Sequence, residues 1–125
     1  LGAAGSPVHD SAVFDGDGML QRMNGDLVLA RTLAEMVQPD IERQLIALRE
    51  AMLAENREAA ARLVHSIKGM AMDVEARELA RKAKALEGIL REGLDGGLER
   101  LSEIEHDYGQ LKVLLNDWLG SSETV

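Results

Sequence analysis

Apolar positions recur at steps of three and four along most of the chain. Over residues 26–54 they fall at Leu33, Val37, Ile41, Leu45, Leu48 and Met52. That period predicts one long amphipathic helix. Pro39 interrupts it, removing one backbone bond and crowding the preceding turn. The stripe stays in phase across the proline, so a kink near residues 35–39 is expected rather than two abutting helices. Glu55-Asn56 reads as a turn with Asn56 as N-cap, and a second helix follows over 57–72. The chain reverses near Asp73-Val74. A further helix over 75–92 carries the stripe Leu79, Ala83, Leu86 and Leu90, with Glu87 at its edge and Gly93 as its C-terminal stop. The last helix, over 96–119, has Asp95 as its cap. Its stripe is Leu98, Leu101, Ile104, Tyr108, Leu111, Leu114, Leu115 and Trp118, and Gly120-Ser121-Ser122 ends it. A short helix within 14–23 precedes all of these, capped by Asp15 or Asp17, with Met19, Leu20 and Met23 on one side. Asn24-Gly25-Asp26 then breaks the pattern and caps the long helix. Four long amphipathic helices joined by short turns predict an all-α fold, an antiparallel up-down four-helix bundle with a short extra N-terminal helix. Residues 1–12 read as a disordered arm or linker, 13–120 as the bundle, and 121–125 as a tail.

The phase of the helix over 57–72 decides what faces water. At about 100° per residue, Ala60, Leu63, Val64, Ile67, Met70 and Ala71 share one arc. His65, Lys68, Gly69, Ala61 and Met72 lie opposite. His65 therefore points outward, and with Lys68 and Gly69 it forms one patch, because positions three and four apart share a face.

Composition narrows the function. The chain has 125 residues, enough for one domain with a modest core. It has no cysteine, which excludes disulfides, thiol catalysis and Cys-based zinc sites. With 22 acidic and 14 basic residues, the formal charge is −8. Nucleic acid is therefore not expected as a partner, since phosphate backbones require positive charge. No apolar run reaches the roughly 20 residues of a membrane-spanning helix. No signal peptide is evident, and the chain does not begin with Met. A fragment of a larger protein or a processed chain in a cytoplasmic setting is expected. Aromatics are limited to Phe14, Tyr108 and Trp118.

The patch has chemistry of its own. A solvent-facing imidazole titrates near ~6.5, so at neutral pH much of it is neutral and nucleophilic. Attack on phosphorus gives a phosphohistidine. Lys68, one turn away, can neutralise charge on an incoming phosphoryl group. Glycine within a helix costs about 1 kcal/mol relative to alanine. Side chains lean toward the helix N-terminus, so one at position 69 would lie over His65; glycine leaves the imidazole approachable. Glu87, on the next antiparallel helix, can accept a hydrogen bond from the ring Nδ1–H and leave Nε2 free. Plainer readings exist for each residue. An exposed His is usually only a surface residue, and Lys68 an ordinary solvated cation. Gly69 can mark close helix packing, and Glu87 can pair with Arg91 one turn on. His9 and His106 read as surface residues. The methionines read as core filler except Met72, which shares the His65 face and suits a partner surface. No metal site, Ser-His-Asp triad or nucleotide loop is apparent, so a phosphoryl group must arrive on a partner.

His65-Ser66-Ile67-Lys68-Gly69 resembles the His-x-x-Lys-Gly hallmark of the histidine-containing phosphotransfer (HPt) domains of phosphorelays. Val64 and Arg62 before it fit that register, as do Ala76, Leu79, Ala83, Leu86 and Glu87 after it. Gly25-Asp26, Leu48 and Ala51 resemble the family's long first bundle helix, and the similarity spans about residues 15–119. The resemblance implies that His65 is the phosphoacceptor, taking a phosphoryl group from a receiver-domain aspartate and passing it to another receiver. Lys68 would help hold the phosphate, Gly69 would allow docking, and Glu87 would orient the imidazole. Ala61, Arg62, Met72 and Lys84 would contribute to the partner surface. Many family members carry glycines seven and ten residues after the His; here Met72 and Glu75 stand there, so the following turn is expected to be built differently or the helix that carries His65 to run longer.

The implied partners are response-regulator receiver domains and a sensor histidine kinase. The chain itself would be a monomeric carrier without catalytic activity, cofactor or metal, with magnesium held in the receiver's acidic pocket. The alternatives are the phosphoacceptor domain of a chemotaxis-type histidine kinase, a non-catalytic helical interaction module with a coincidental His, and an enzyme with a site inside the bundle.

Overall fold

The computed structural model describes residues 12–93 and 95–123. The arm expected over 1–12, with His9, falls outside the described residues except for Ala12. Five helices follow: α1 Gly16–Arg22, α2 Leu27–Leu53, α3 Arg57–Asp73, α4 Arg77–Glu92 and α5 Gly97–Glu123. Helices α2 to α5 pack in sequence order, and α5 closes back on α2. The connections α2–α3 and α3–α4 are three residues each. Turns this short return the chain beside itself, which is the antiparallel bundle that the periodicity predicts.

The helix starts follow local chemistry. Asp15, Asp26 and Asn56 each accept a backbone N–H three residues on, from Gly18, Leu29 and Ala59. Each satisfies one of the orphan donors of a helix N-terminus. α2 continues through Pro39 as a single helix. Its buried stripe is Ala30, Ala34, Val37, Ile41, Leu45, Leu48 and Met52, while Leu33 is only half-buried. It meets Val64, Ile67 and Ala71 of α3, Leu79, Leu86 and Leu90 of α4, and Leu101, Ile104, Leu111 and Leu115 of α5 in one core. Tyr108 is buried too, and its hydroxyl donates to Glu42 Oε2 at 2.8 Å and lies 3.1 Å from the Gln38 carbonyl, tying α5 to α2.

Three expectations change. Leu98 is 40% exposed; the inward position at the start of α5 goes to Gly97, which sits against Met52 and Leu86. Gly96, not Asp95, holds the position before α5, and its carbonyl accepts from Arg100 N–H. α5 also runs on to Glu123, past the expected stop at Leu119. Glycine and serine lower helix propensity but do not forbid continuation.

The α3–α4 turn also departs from its expected form. α3 extends to Asp73 and α4 begins at Arg77 rather than at 75. Glu75 adopts φ +58°, the left-handed conformation usually given to glycine. Glu75 N–H donates to the Met72 carbonyl at 3.1 Å and Ala76 N–H to Ala71 at 2.8 Å, closing a Schellman cap. The α2–α3 turn repeats it with Glu55 at φ +57° and bonds to Met52 and Ala51. The α3–α4 turn has further support from the N-terminal segment. Arg22 donates to the Met72 carbonyl at 2.8 Å and to Glu75 Oε2 at 2.9 Å. Asp15 N–H donates to the Glu75 carbonyl at 3.1 Å. Phe14 meets Trp118 edge-on at 6.2 Å, holding this segment to α5 as well.

Glu55 pays the left-handed penalty with an exposed side chain. Glu55→Gly should therefore raise unfolding stability by about 0.5–1 kcal/mol. Urea denaturation measures it, and an unchanged or lower midpoint would refute the assignment of strain to that residue.

Candidate functional site

Val64 and Ile67 are fully buried, which turns the intervening and following positions of α3 outward. His65 is 68% exposed at its side chain. Gly69 is exposed, and a Cβ built there meets nothing within 4 Å. It does not mark close helix packing. Met72, one turn beyond Lys68, is 52% exposed. Ala61 is half-buried one turn before His65. His106 is exposed on α5.

The antiparallel return through Glu75 sets Glu87 of α4 across from His65. Glu87 Oε2 lies 2.8 Å from His65 Nδ1, and Glu87 Oε1 accepts from Lys68 Nζ at 2.9 Å. The carboxylate bridges both outward residues of α3. It is 17% exposed, and Lys68 is 22% exposed. The Lys68 bond does most to hold the Glu87 carboxyl below the usual carboxylate range; burial opposes it and the His65 bond adds to it. An ionised carboxylate can only accept, so the ring Nδ1 must carry the hydrogen. The Nε2 lone pair then faces outward from the bridged Nδ1.

Two sequence expectations look different in this geometry. The i,i+4 partnership of Glu87 with Arg91 is not formed, because both carboxylate oxygens are engaged by α3. Arg62, taken as a cation for the partner surface, pairs with Glu58 at 3.0 Å. Lys84 is exposed on the outer side of α4. Sequence reading missed the Lys68–Glu87 bond, because it relates Glu87 only to the His65 ring and to Arg91. It also missed the groove between α3 and α4 lined by Arg57, Glu58, Ala61, Glu87, Leu90 and Arg91. The signal for that groove was present as the row Arg57, Ala61, His65 at steps of four. Among the described residues, no three His, Cys, Asp or Glu side chains gather as a metal site. No described helix is long and apolar enough to cross a membrane.

The fold has solved relatives. It is similar to the crystal structure of histidine-containing phosphotransfer protein B (HptB) from Pseudomonas aeruginosa PAO1, with TM-score 0.81 and 22% identity, over 87% of this chain and 96% of that one. It is also similar to the HPT domain from the Hpt sensor hybrid histidine kinase from Shewanella, with TM-score 0.79 and 13% identity, over 90% of this chain and 97% of that one. No curated protein matches the sequence. The family model described as "Hpt domain" matches residues 32–117, which include His65, Lys68, Gly69 and Glu87, and the chain therefore belongs to the Hpt domain family.

Proposed function

We propose that His65 is the residue through which this phosphorelay intermediate carries its phosphoryl group. The observation that supports this best is the 2.8 Å bond between His65 Nδ1 and Glu87 on an otherwise exposed ring. Glu87 orients the imidazole and fixes the proton on Nδ1. The Nε2 lone pair attacks the phosphorus of a partner's aspartyl phosphate. The P–N bond forms as the P–O bond to the aspartate breaks, and the carboxylate leaves. The ring then carries positive charge, which the Glu87 carboxylate stabilises at Nδ1. Reversal onto a second receiver discharges the ring. Gly69 gives the partner access, and exposed Met72 offers it an apolar contact.

Lys68 has a narrower role than a phosphate clamp in this resting state. It holds Glu87 ionised, so it acts on the imidazole through the carboxylate, and reaches toward the phosphoryl oxygens only as that charge arrives. Magnesium required by the transfer belongs to the receiver's acidic pocket. The chain is a carrier, not an enzyme, and its receiver and kinase partners set it in the cytoplasm.

Mixing the chain with a phosphorylated receiver should give acid-labile, alkali-stable label in the parent and none in His65→Gln. Label that persists in His65→Gln would sink the assignment. Lys68→Ala should slow transfer about tenfold or more while weakening docking less, since a charge-assisted hydrogen bond is worth about 1.5–3 kcal/mol. Equal transfer rates in variant and parent would remove Lys68 from the site.

The lowered Glu87 carboxyl also predicts a pH dependence. Its folded value lies below its unfolded value near ~4.3, so its stabilising contribution is complete at neutral pH. That contribution disappears as pH falls through the lowered folded value. Glu87→Gln should cost about 1 kcal/mol at pH 7, and the gap should narrow as pH falls below the unfolded carboxyl's value of ~4.3. Urea midpoints across this range test it; a gap that stays constant with pH would contradict the ionic bridge.

A further inference from the structure

The net charge of −8 hides a local excess of the opposite sign. Ten of the 14 basic residues hold a carboxylate at ion-pair distance. Arg77 is engaged as well. Three cations have no acidic partner among the described residues: Arg57, Lys84 and Arg91. All three are exposed, and all belong to the two helices that carry His65 and Glu87.

Their placement is specific. Arg57 and Arg91 line the same groove, which Glu87 also borders. Lys84 and Arg91 are seven residues apart, two turns along α4 and within about 20° of each other. The groove's own acids do not offset them. Glu58 is taken by Arg62, and Glu87 by Lys68 and His65. Glu92, the next carboxylate along α4, lies about 140° around the helix from Glu87. Positive charge is therefore uncompensated on both sides of the His65–Glu87 contact. Ten of the 22 carboxylates pair with other cations, and none of the ion pairs among the described residues involves these three.

Resting on the phosphorelay reading above, we propose that Arg57, Lys84 and Arg91 form a docking triad for an acidic surface of the partner protein, positioned to bring carboxylates around the phosphoryl-bearing aspartate against the His65 face. Arginine suits this role because its weakly hydrated, planar guanidinium gives up water readily to a carboxylate. The remaining charge of the chain repels anionic membranes and nucleic acids at long range, so a locally acidic protein patch is the fitting occupant. The triad acts on encounter and orientation; transfer itself belongs to His65 and its bridge.

Two measurements test it. The first is the affinity of a phosphorylated receiver domain from about 20 to about 300 mM salt, across roughly one Debye-length regime to the next. The parent should weaken with salt. The variant Arg57→Gln/Lys84→Gln/Arg91→Gln should bind about tenfold more weakly at low salt and show a flatter salt slope. Arg43→Gln/Arg100→Gln, which removes cations already paired within their own helices, should match the parent. A triple variant with the parent's affinity and salt slope would overturn the proposal, as would equal losses in both variants. The second uses a four-glutamate peptide at about 20 mM salt. Its amide chemical-shift changes should cluster at Arg57, Lys84 and Arg91 and vanish in the triple variant. Scattered shifts, or shifts that survive the substitutions, would overturn it too. If no receiver labels His65, the phosphorelay reading falls, and the peptide titration still judges the triad.

Discussion

The site depends on the register between α3 and α4. His65 and Glu87 are twenty-two residues apart, and only one pairing of the two helices puts a carboxylate oxygen 2.8 Å from the ring nitrogen. Adding or removing one residue in the turn would rotate α4 by about 100° and carry Glu87 off the face. The turn is three residues long and contains a glutamate in a left-handed conformation that costs roughly 1–2 kcal/mol. That cost is met by bonds from outside the turn. Arg22 ties down the Met72 carbonyl and the Glu75 side chain, and Asp15 N–H holds the Glu75 carbonyl. The short α1, which contributes little to the bundle core beyond Met19, thus helps set the geometry of a site it does not touch.

The Glu87 bridge joins this geometry to electrostatics. A carboxylate with one partner could rotate; one held by both Lys68 and His65 has little freedom, and it presents a fixed acceptor to the ring. Lys68 is half-buried beside it, so its charge is spent locally before a partner arrives. A negative phosphoryl group near His65 would compete with Glu87 for the same ammonium. On the proposed role of His65, Lys68 would shift its interaction from carboxylate toward phosphate without moving from the site.

What could be read from the sequence was what depends on neighbours along the chain. Caps at Asp26 and Asn56 work over three residues, and the inward turn of Val64 and Ile67 follows from helical period alone. The bundle topology followed because short turns leave one arrangement. Features that need two distant elements were harder. Nothing in the string Asp73-Val74-Glu75 announces that Arg22 will stabilise a left-handed glutamate. Leu98 fits the apolar period but loses the inward position to Gly97, which is buried with the Met52 methyl and Leu86 beside it. The end of α5 was misplaced because Gly120 and Ser121 weaken a helix by amounts that neighbouring turns can absorb. For the site, the resemblance supplied the residues, but pairwise placement decided which cations are committed internally. Arg62 looked available for a partner and is paired, whereas Arg91, a candidate partner for Glu87, and Arg57 have no acidic partner among the described residues.

That division of cations has a physical consequence for an acidic chain. A uniformly negative surface would slow encounter with any acidic partner, and the phosphoryl donor side of a receiver is acidic by the chemistry it performs. Raising the net charge would relieve this, but at the expense of solubility and of selectivity toward other anions. Leaving a few cations uncompensated on one face achieves the same local effect while the rest of the surface stays negative. The field of the proposed triad then carries direction: an acidic partner approaching the α3–α4 groove meets attraction within about a Debye length of 8–10 Å. The His65 ring stands on that same pair of helices, bridged and exposed. Orientation is therefore resolved during encounter, before any side chain of the site has to rearrange.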